Sequence, residues 1–341
     1  MIVMTPEAGE AEIDAIKAKL STTGVHVLVL PGELTTAIGA IGDPEGVREL
    51  GLEGMAGVDR VVPISRPYKL ASSELAHHEP TAFAVDGRRV GGDETFCLIA
   101  GPCTVETREQ TLAVARTVKA AGASMLRGGA FKPRTSPFAF KGLGAAALEI
   151  LAEARAETGL PVVTELLDAQ HAEAIAEHAD VVQIGARNMQ NYALLEVAGK
   201  LGRPVLLKRG LSSSLDELLM AADYVLKEGN ERVMLCERGI RTFEPAYRFT
   251  LDLLAIPALR EMSHLPIIVD PSHAAGRRDW VQPMSLAAAA AGADGIIVEV
   301  HNQPEEAICD GPQAIATEVF ADYAEQLHRI AELAGKELSS V

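Results

Sequence analysis

The chain has 341 residues, of which 48% are hydrophobic and only 4% aromatic. The length fits two domains or one large barrel with an appendage, and the apolar content is too high for a disordered chain. With 31 Lys and Arg against 47 Asp and Glu the formal charge is −16, which argues against broad nucleic-acid binding and against adhesion to anionic membranes. An acidic chain that gathers cations at one place is expected to bind an anion there.

Residues 1–70 read as a small α+β unit. A short strand covers 1–4. A helix follows over 10–20, with Ile13, Ile16 and Leu20 on one stripe. An alternating apolar strand spans 25–30 and ends at Pro31-Gly32. A strand over 35–41, a helix over 44–52 and a strand over 60–64 complete a β-α-β-β-α-β order, the ferredoxin-like arrangement. His26 lies inside an apolar strand and is expected to be packed or at a rim, not a ligand. Residues 71–82 read as a solvated linker. His77 and His78 are adjacent there and point apart, which suits no metal. Residues 83–85 and 88–90 flank Asp86-Gly87, a strong two-residue turn signal, and form a hairpin. The stretch 71–95 is therefore linker plus hairpin.

From residue 96 the chain repeats strand, loop and helix. Strands are expected over 96–100, 125–128, 161–166, 181–185, 204–209, 232–238, 266–270 and 295–300. The clearest helices are 108–121, 144–158, 169–178, 215–227 and 317–334. Eight such units match a (β/α)8 TIM barrel over 96–341. An open doubly wound sheet would normally carry a glycine fingerprint after its first strand. Here that strand ends Ala100-Gly101-Pro102-Cys103.

Four Cys, at 97, 103, 236 and 309, are too few and too scattered for a disulfide framework. The N-terminus shows no signal-peptide pattern, and the longest apolar runs fall far short of the ~20 residues that span a bilayer. A cytoplasmic protein is the expectation.

In a barrel the chemistry sits at the C-terminal ends of the strands. Strand ends here supply Arg127, Arg187, Lys208 with Arg209, and Arg238, and Lys132 and Arg134 follow in the loop after the second strand. Parity puts Leu206 and Lys208 on one face and Arg209 on the other. Guanidinium groups match phosphate and carboxylate, so the ligand is expected to be a dianion or a pair of phosphorylated molecules. The first, seventh and eighth strands bring Cys103, His273, Glu299 and Asp310 toward one sector of the mouth. Thiolate, imidazole and two carboxylates suit a divalent first-row metal such as Mn, Fe, Co or Zn. Gly128-Gly129 and Gly101-Pro102 allow close backbone approach. Glu165 ends the third strand and either orients a water or pairs with Lys208. Cys309 sits beside Asp310 as a rival ligand, whereas Cys97 and Cys236 read as core.

The segments Gly101-Pro102-Cys103, Arg127 to Thr135, Ile184-Gly185-Ala186-Arg187, Asp270-Pro271-Ser272-His273 and Val298-Glu299-Val300-His301 carry a resemblance. Over essentially its whole length the chain resembles the 3-deoxy-D-arabino-heptulosonate 7-phosphate (DAHP) synthases, in the branch with an N-terminal ferredoxin-like regulatory domain. The resemblance implies condensation of phosphoenolpyruvate with erythrose 4-phosphate, the first step of the shikimate pathway. It implies a divalent metal held by Cys103, His273, Glu299 and Asp310. It implies phosphoenolpyruvate on Arg127, Lys132, Gly185, Ala186, Arg187, Lys208 and Arg238, with His301 nearby, and erythrose 4-phosphate along Lys132, Pro133, Arg134 and Thr135. Catalytic work falls to Lys132, Cys103, His273 and Glu165. It further implies feedback by tyrosine or phenylalanine and a homodimer or homotetramer, with no nucleic-acid or membrane partner. The 3-deoxy-D-manno-octulosonate 8-phosphate synthases resemble an Ala-Asn-Arg-Ser pattern where this chain has Lys132-Pro133-Arg134-Thr135, which favours the heptulosonate reading. A non-catalytic anion-binding barrel is the remaining alternative.

Overall fold

The structure is a computed structural model. It describes the chain except residues 33–34, 43, 64–65, 77–78, 134–135, 137 and 340–341. The expected pair His77 and His78, and the end of the strand expected over 60–64, lie outside the described residues.

The N-terminal unit runs β1 (Ile2–Met4), α1 (Glu10–Ser21), β2 (His26–Pro31), β3 (Thr36–Ile41), α2 (Pro44–Glu49) and β4 (Val58–Val61). Its sheet is antiparallel in the order β2-β3-β1-β4. Ile16 and Leu20 of α1 close a small core over Ile2, Met4 and Ile38. The stripe read from the sequence is thus the face that α1 buries. His26 is exposed at the start of β2, a rim position.

A hairpin of β5 (Ala82–Val85) and β6 (Arg88–Gly91) turns at Asp86-Gly87. The barrel then runs β7 (Thr95–Gly101), α3 (Arg108–Ala120), β8 (Met125–Arg127), α4 (Ala145–Thr158), β9 (Val162–Glu165), α5 (Ala172–His178), β10 (Val181–Ile184), α6 (Tyr192–Lys200), β11 (Val205–Lys208), α7 (Leu215–Leu226), β12 (Val233–Glu237), α8 (Ala255–Met262), β13 (Ile267–Val269), α9 (Pro271–Ala275), α10 (Arg278–Ala290), β14 (Gly295–His301), β15 (Ile315–Ala316), α11 (Thr317–Leu333) and β16 (Glu337–Leu338). Neighbouring barrel strands are parallel, and β14 pairs with β7 from Gly295 opposite Cys97 to Glu299 opposite Gly101, which closes the ring. Among the described residues no helix is long and apolar enough to cross a membrane.

Alternation sorts the barrel residues into two cores. Cys97, Ile99, Met125, Val163, Leu206, Met234, Cys236 and Ile268 fill the inside, joined by Val85 and Val90 of the hairpin. The hairpin therefore plugs the barrel instead of linking it, and buried Arg88 anchors it by donating to Gly159 O. The opposite faces of the strands pack against the helices.

The segment expected as a solvated linker is pinned. Asp223 of α7 accepts from the amides of Lys69 at 2.6 Å and Ala71 at 2.8 Å. The amide and hydroxyl of Ser73 reach Met262 O and Glu261 O. His264 bonds Thr81 Oγ1 through Nδ1 and Leu70 O through Nε2. The Asp223 side chain of α7, two carbonyls at the end of α8 and the His264 side chain beyond it thus replace the water that the composition suggested.

Candidate active site

Strand ends set the geometry. Cys103 follows β7, Arg127 ends β8, Lys208 ends β11, Arg238 follows β12 and Glu299 lies on β14. Asp270 follows β13 and caps α9, accepting from the His273 amide at 3.0 Å, with Pro271 at the first helical position. That cap turns His273 into the barrel mouth. The Asp270 carboxylate also takes His273 Nδ1 at 2.8 Å and pairs with Lys208. With Nδ1 facing a carboxylate, His273 Nε2 points at Glu299 Oε1, 3.3 Å away.

Glu299 is fully engaged. Arg127 donates to Oε1 at 2.8 Å and Gln313 to Oε2 at 2.7 Å. Burial alone would raise this carboxyl, but His273, Arg127 and Lys132 outweigh it and bring it down to about 2. Burial would likewise raise Asp270, and its neighbours His273 and Lys208 hold it well below the usual carboxylate range. Burial pushes the Cys103 thiol up and Glu299 adds to this, against Lys132 and Arg127. Cys103 Sγ meets Asp310 Oδ2 at 3.2 Å, while Lys132 Nζ reaches Cys103 O at 2.8 Å and its Sγ at 2.9 Å. Ligand atoms of Cys103, His273, Glu299 and Asp310 all lie within 4.8 Å of one another.

A cleft of about 290 Å³ opens against this group, walled by Arg127, Lys132, Pro133, Glu165, Gly185, Ala186, Arg187, Lys208, Arg238, His273 and Asp310. Among the described residues Arg187 and Arg238 form no ion pair, so the cleft holds unsatisfied positive charge. Burial depresses the Arg238 guanidinium, with Asp270 opposing.

One family model, described as the DAHP synthetase I family, matches residues 73–335. The chain belongs to this family. A second model, the DAHP synthase ferredoxin-like domain, matches residues 1–66. The phospho-2-dehydro-3-deoxyheptonate aldolase of Thermotoga maritima is 45% identical over 98% of this chain and 98% of its own length. The 2-dehydro-3-deoxyphosphooctonate aldolase of Syntrophotalea carbinolica is 34% identical over 69% of this chain and 91% of its own. The crystal structure of the Thermotoga maritima DAHP synthase superposes with TM-score 0.78 at 44% identity, covering 99% of this chain and 98% of that one. A truncated form from the same organism covers 80% of this chain and 99% of its own, with TM-score 0.74.

The family match covers the barrel, and the fold explains where the motifs read above land. Cys103 and Glu299 lie buried beneath the cleft rather than on its wall. Arg209 faces away from the cleft, as parity requires, and pairs with Glu237 and Asp252. Three expectations differ. Glu165 does not pair with Lys208, whose amine goes to Asp270; it stands instead against Gly185, where any added Cβ would collide with its Oε1. His301 does not line the cleft, because its Nε2 turns to Glu106 at 3.3 Å and its Nδ1 accepts from the Gln303 amide. Cys309 is buried outside the donor group. Arg134 and Thr135 lie outside the described residues. Sequence reasoning missed Gln183, Leu211, Arg241, Arg248 and Phe249 on the cleft wall. Gln183 had a signal, a polar residue inside the apolar run 181–184.

Proposed function

We propose that the chain joins phosphoenolpyruvate to erythrose 4-phosphate, giving 3-deoxy-D-arabino-heptulosonate 7-phosphate and inorganic phosphate. The observation that carries this reading is the contact between a cationic cleft and a thiol-imidazole-carboxylate group: Arg127 bonds Glu299 and Lys132 bonds Cys103. Likeness over the full length to a heptonate aldolase supports the four-carbon aldehyde, since the octonate aldolase matches only part of the chain.

The donor set fits a divalent Mn, Fe, Co or Zn ion. Asp270 on Nδ1 leaves His273 Nε2 facing the group, and Glu299 is ionised across the working pH range. Cys103, His273, Glu299 and Asp310 would hold the ion, which supplies Lewis acidity toward the aldehyde oxygen. The chain's own residues do the rest. Arg127, Arg187, Lys208 and Arg238 hold phosphoenolpyruvate and offset its repulsion from the second anion. Its C3 carbon attacks the aldehyde carbon, its π pair becoming the new C–C bond. Lys132 Nζ gives a proton to the resulting alkoxide. Water adds at C2 and its proton passes to Glu165, the carboxylate of the cleft wall outside the donor group. The phosphohemiketal then collapses: its C2 hydroxyl oxygen forms the carbonyl, the C2–O bond to phosphate breaks, and the hydroxyl proton leaves with the phosphate.

A phosphate-release assay tests this reading. Release should require both substrates, stop on chelation and return with added metal. It should favour erythrose 4-phosphate over arabinose 5-phosphate in kcat/KM. A preference for the five-carbon sugar overturns the substrate assignment, and full turnover by the chelated chain overturns the metal assignment.

Residues 1–70 are assigned to regulation by tyrosine or phenylalanine in a cytoplasmic homodimer or homotetramer, and 96–341 to the catalytic barrel, with the hairpin within 71–95 closing its inner core. Both β2 and β4 are edge strands, and Leu28 on β2 is exposed, which leaves these edges open to a second subunit.

A further inference from the structure

The loop between β12 and α8 contributes Arg241, Arg248 and Phe249 to the cleft wall, and none of the roles above uses them. Arg248 is the most connected. Its Nη1 donates to Gln313 Oε1 at 2.7 Å and stands 3.6 Å from Asp310 Oδ1. Gln313 is buried and passes the contact on, its Nε2 donating to Glu299 Oε2 at 2.7 Å. The amide cannot turn over without losing both bonds, because its oxygen must face the guanidinium and its nitrogen the carboxylate. One cation therefore meets one carboxylate of the donor group directly and a second through a single amide.

The segment carrying Arg248 is itself held. The Phe249 amide donates to Ala274 O at 3.1 Å, and Arg248 Cβ packs where Gly276 has no side chain, 3.0 Å from the position a Cβ would take there. Both contacts fall on α9 and its cap, the element that carries His273. The Phe249 ring lies 4.3 Å from the Arg238 guanidinium and 5.7 Å from that of Arg248. Glu299, Asp310 and His273 are thus all referenced to one short segment.

We propose that Arg248 is a positioning residue of the donor group: through Gln313 it sets the spacing of the Glu299 and Asp310 carboxylates that a divalent cation requires. The inference rests on the metal reading given above. Two carboxylates and a thiol at one place repel on ionisation. A guanidinium bridging the two carboxylates offsets that repulsion and preserves their geometry before the cation arrives. Partners of this kind, once removed, typically cost about 10–100-fold in metal affinity.

Cobalt(II) uptake by the full chain without substrates, measured by equilibrium dialysis and by visible absorption, reads this role apart from turnover. Arg248→Met and Gln313→Leu should each weaken cobalt binding about 10–100-fold, and Arg248→Lys should recover part of the loss. The double variant should bind no more weakly than the weaker single one, because both changes break the same relay. In metal-saturated enzyme, kcat should fall more than KM for phosphoenolpyruvate rises. Cobalt affinity of Arg248→Met equal to the parent's overturns the proposal, as do losses that multiply in the double variant. If the buried Gln313→Leu change prevents folding, the half-exposed Arg248→Met decides alone. A parent chain that takes up no cobalt overturns the metal reading, and this proposal with it.

Discussion

Asp310 holds φ at 52°, in the left-handed region that few residues other than glycine occupy. Asp tolerates that region better than most, and its carboxylate is thereby aimed at Cys103 Sγ. Strain of this type is kept where surrounding contacts over-determine it, and Arg248 beside Asp310 is such a contact. Gly129 shows the same economy of space. A Cβ there would stand 2.7 Å from Cys103 O and 3.2 Å from Lys132 Nζ. Only glycine lets the Lys132 amine fold back onto Cys103. Gly129→Ala should displace that amine and lower kcat by about 10²-fold, the usual cost of a 1 Å error in a reacting group. KM for phosphoenolpyruvate should move little, because Arg187 and Arg238 are untouched. Steady-state kinetics and a circular dichroism spectrum check this together, and an active alanine variant would show that Lys132 does not need its present position.

At the scale of elements, the barrel strands were legible because each is a short apolar run buried on both faces, bounded by polar or glycine residues. Parity within 204–209 even separated Lys208 from Arg209 correctly. The relay through Arg248 was not legible. It joins residues 65 apart in sequence, from a loop without periodicity, and no spacing rule connects them. The junction between the two domains was hidden for the same reason, since Asp223 and His264 meet residues 69–81 over separations of 150 to almost 200 positions. Burial lowers the His264 imidazole from its ordinary 6.5, against the bond to Leu70 O. Between that lowered value and 6.5 the unfolded chain binds the proton first, so the junction's stability is full above about 6.5 and falls as the pH drops. Asp223 acts in the opposite sense. Burial raises it from 3.8 to about 6 despite the amides of Lys69 and Ala71, so its share is largest below 3.8 and fades as the pH rises through 6. From pH 7.5 toward 6 the two groups therefore oppose each other, and hydrogen exchange at the Lys69 and Ala71 amides of the parent, corrected for intrinsic rates, reads their difference. His264→Asn leaves Asp223 to act alone, so exchange at these amides should slow relative to the parent's as the pH falls. Exchange in this variant as pH-sensitive as in the parent would place the titrating group elsewhere.

For the whole molecule, the two domains meet through a staple that belongs to the barrel side. Asp223, His264 and the carbonyls of Glu261 and Met262 hold Lys69, Leu70, Ala71, Ser73 and Thr81, while the N-terminal unit adds Arg60, whose Nη2 donates to Leu75 O. Removing residues 1–66 therefore leaves the barrel, its hairpin plug and its own hydrogen-bonded segment complete. It takes away one small core that closes on itself around Ile16, Leu20 and Ile38. Every residue of the donor group and of the cleft lies beyond position 100. The truncated chain should accordingly fold and keep most of its turnover. What it should lose is modulation. An N-terminal unit with edge strands β2 and β4 open to a second copy can change barrel activity through its contacts with the staple, with the loop between α7 and β12, where Gly32 lies against Glu231, and with that copy. Coupling between sites of about 1–3 kcal/mol gives a 5–150-fold change in binding. Initial rates of intact and truncated chains at matched substrate, with and without millimolar tyrosine or phenylalanine, separate the cases. Inhibition of the intact chain alone supports regulation by residues 1–66. Inhibition of both moves the effector onto the barrel, and inhibition of neither removes these amino acids as effectors.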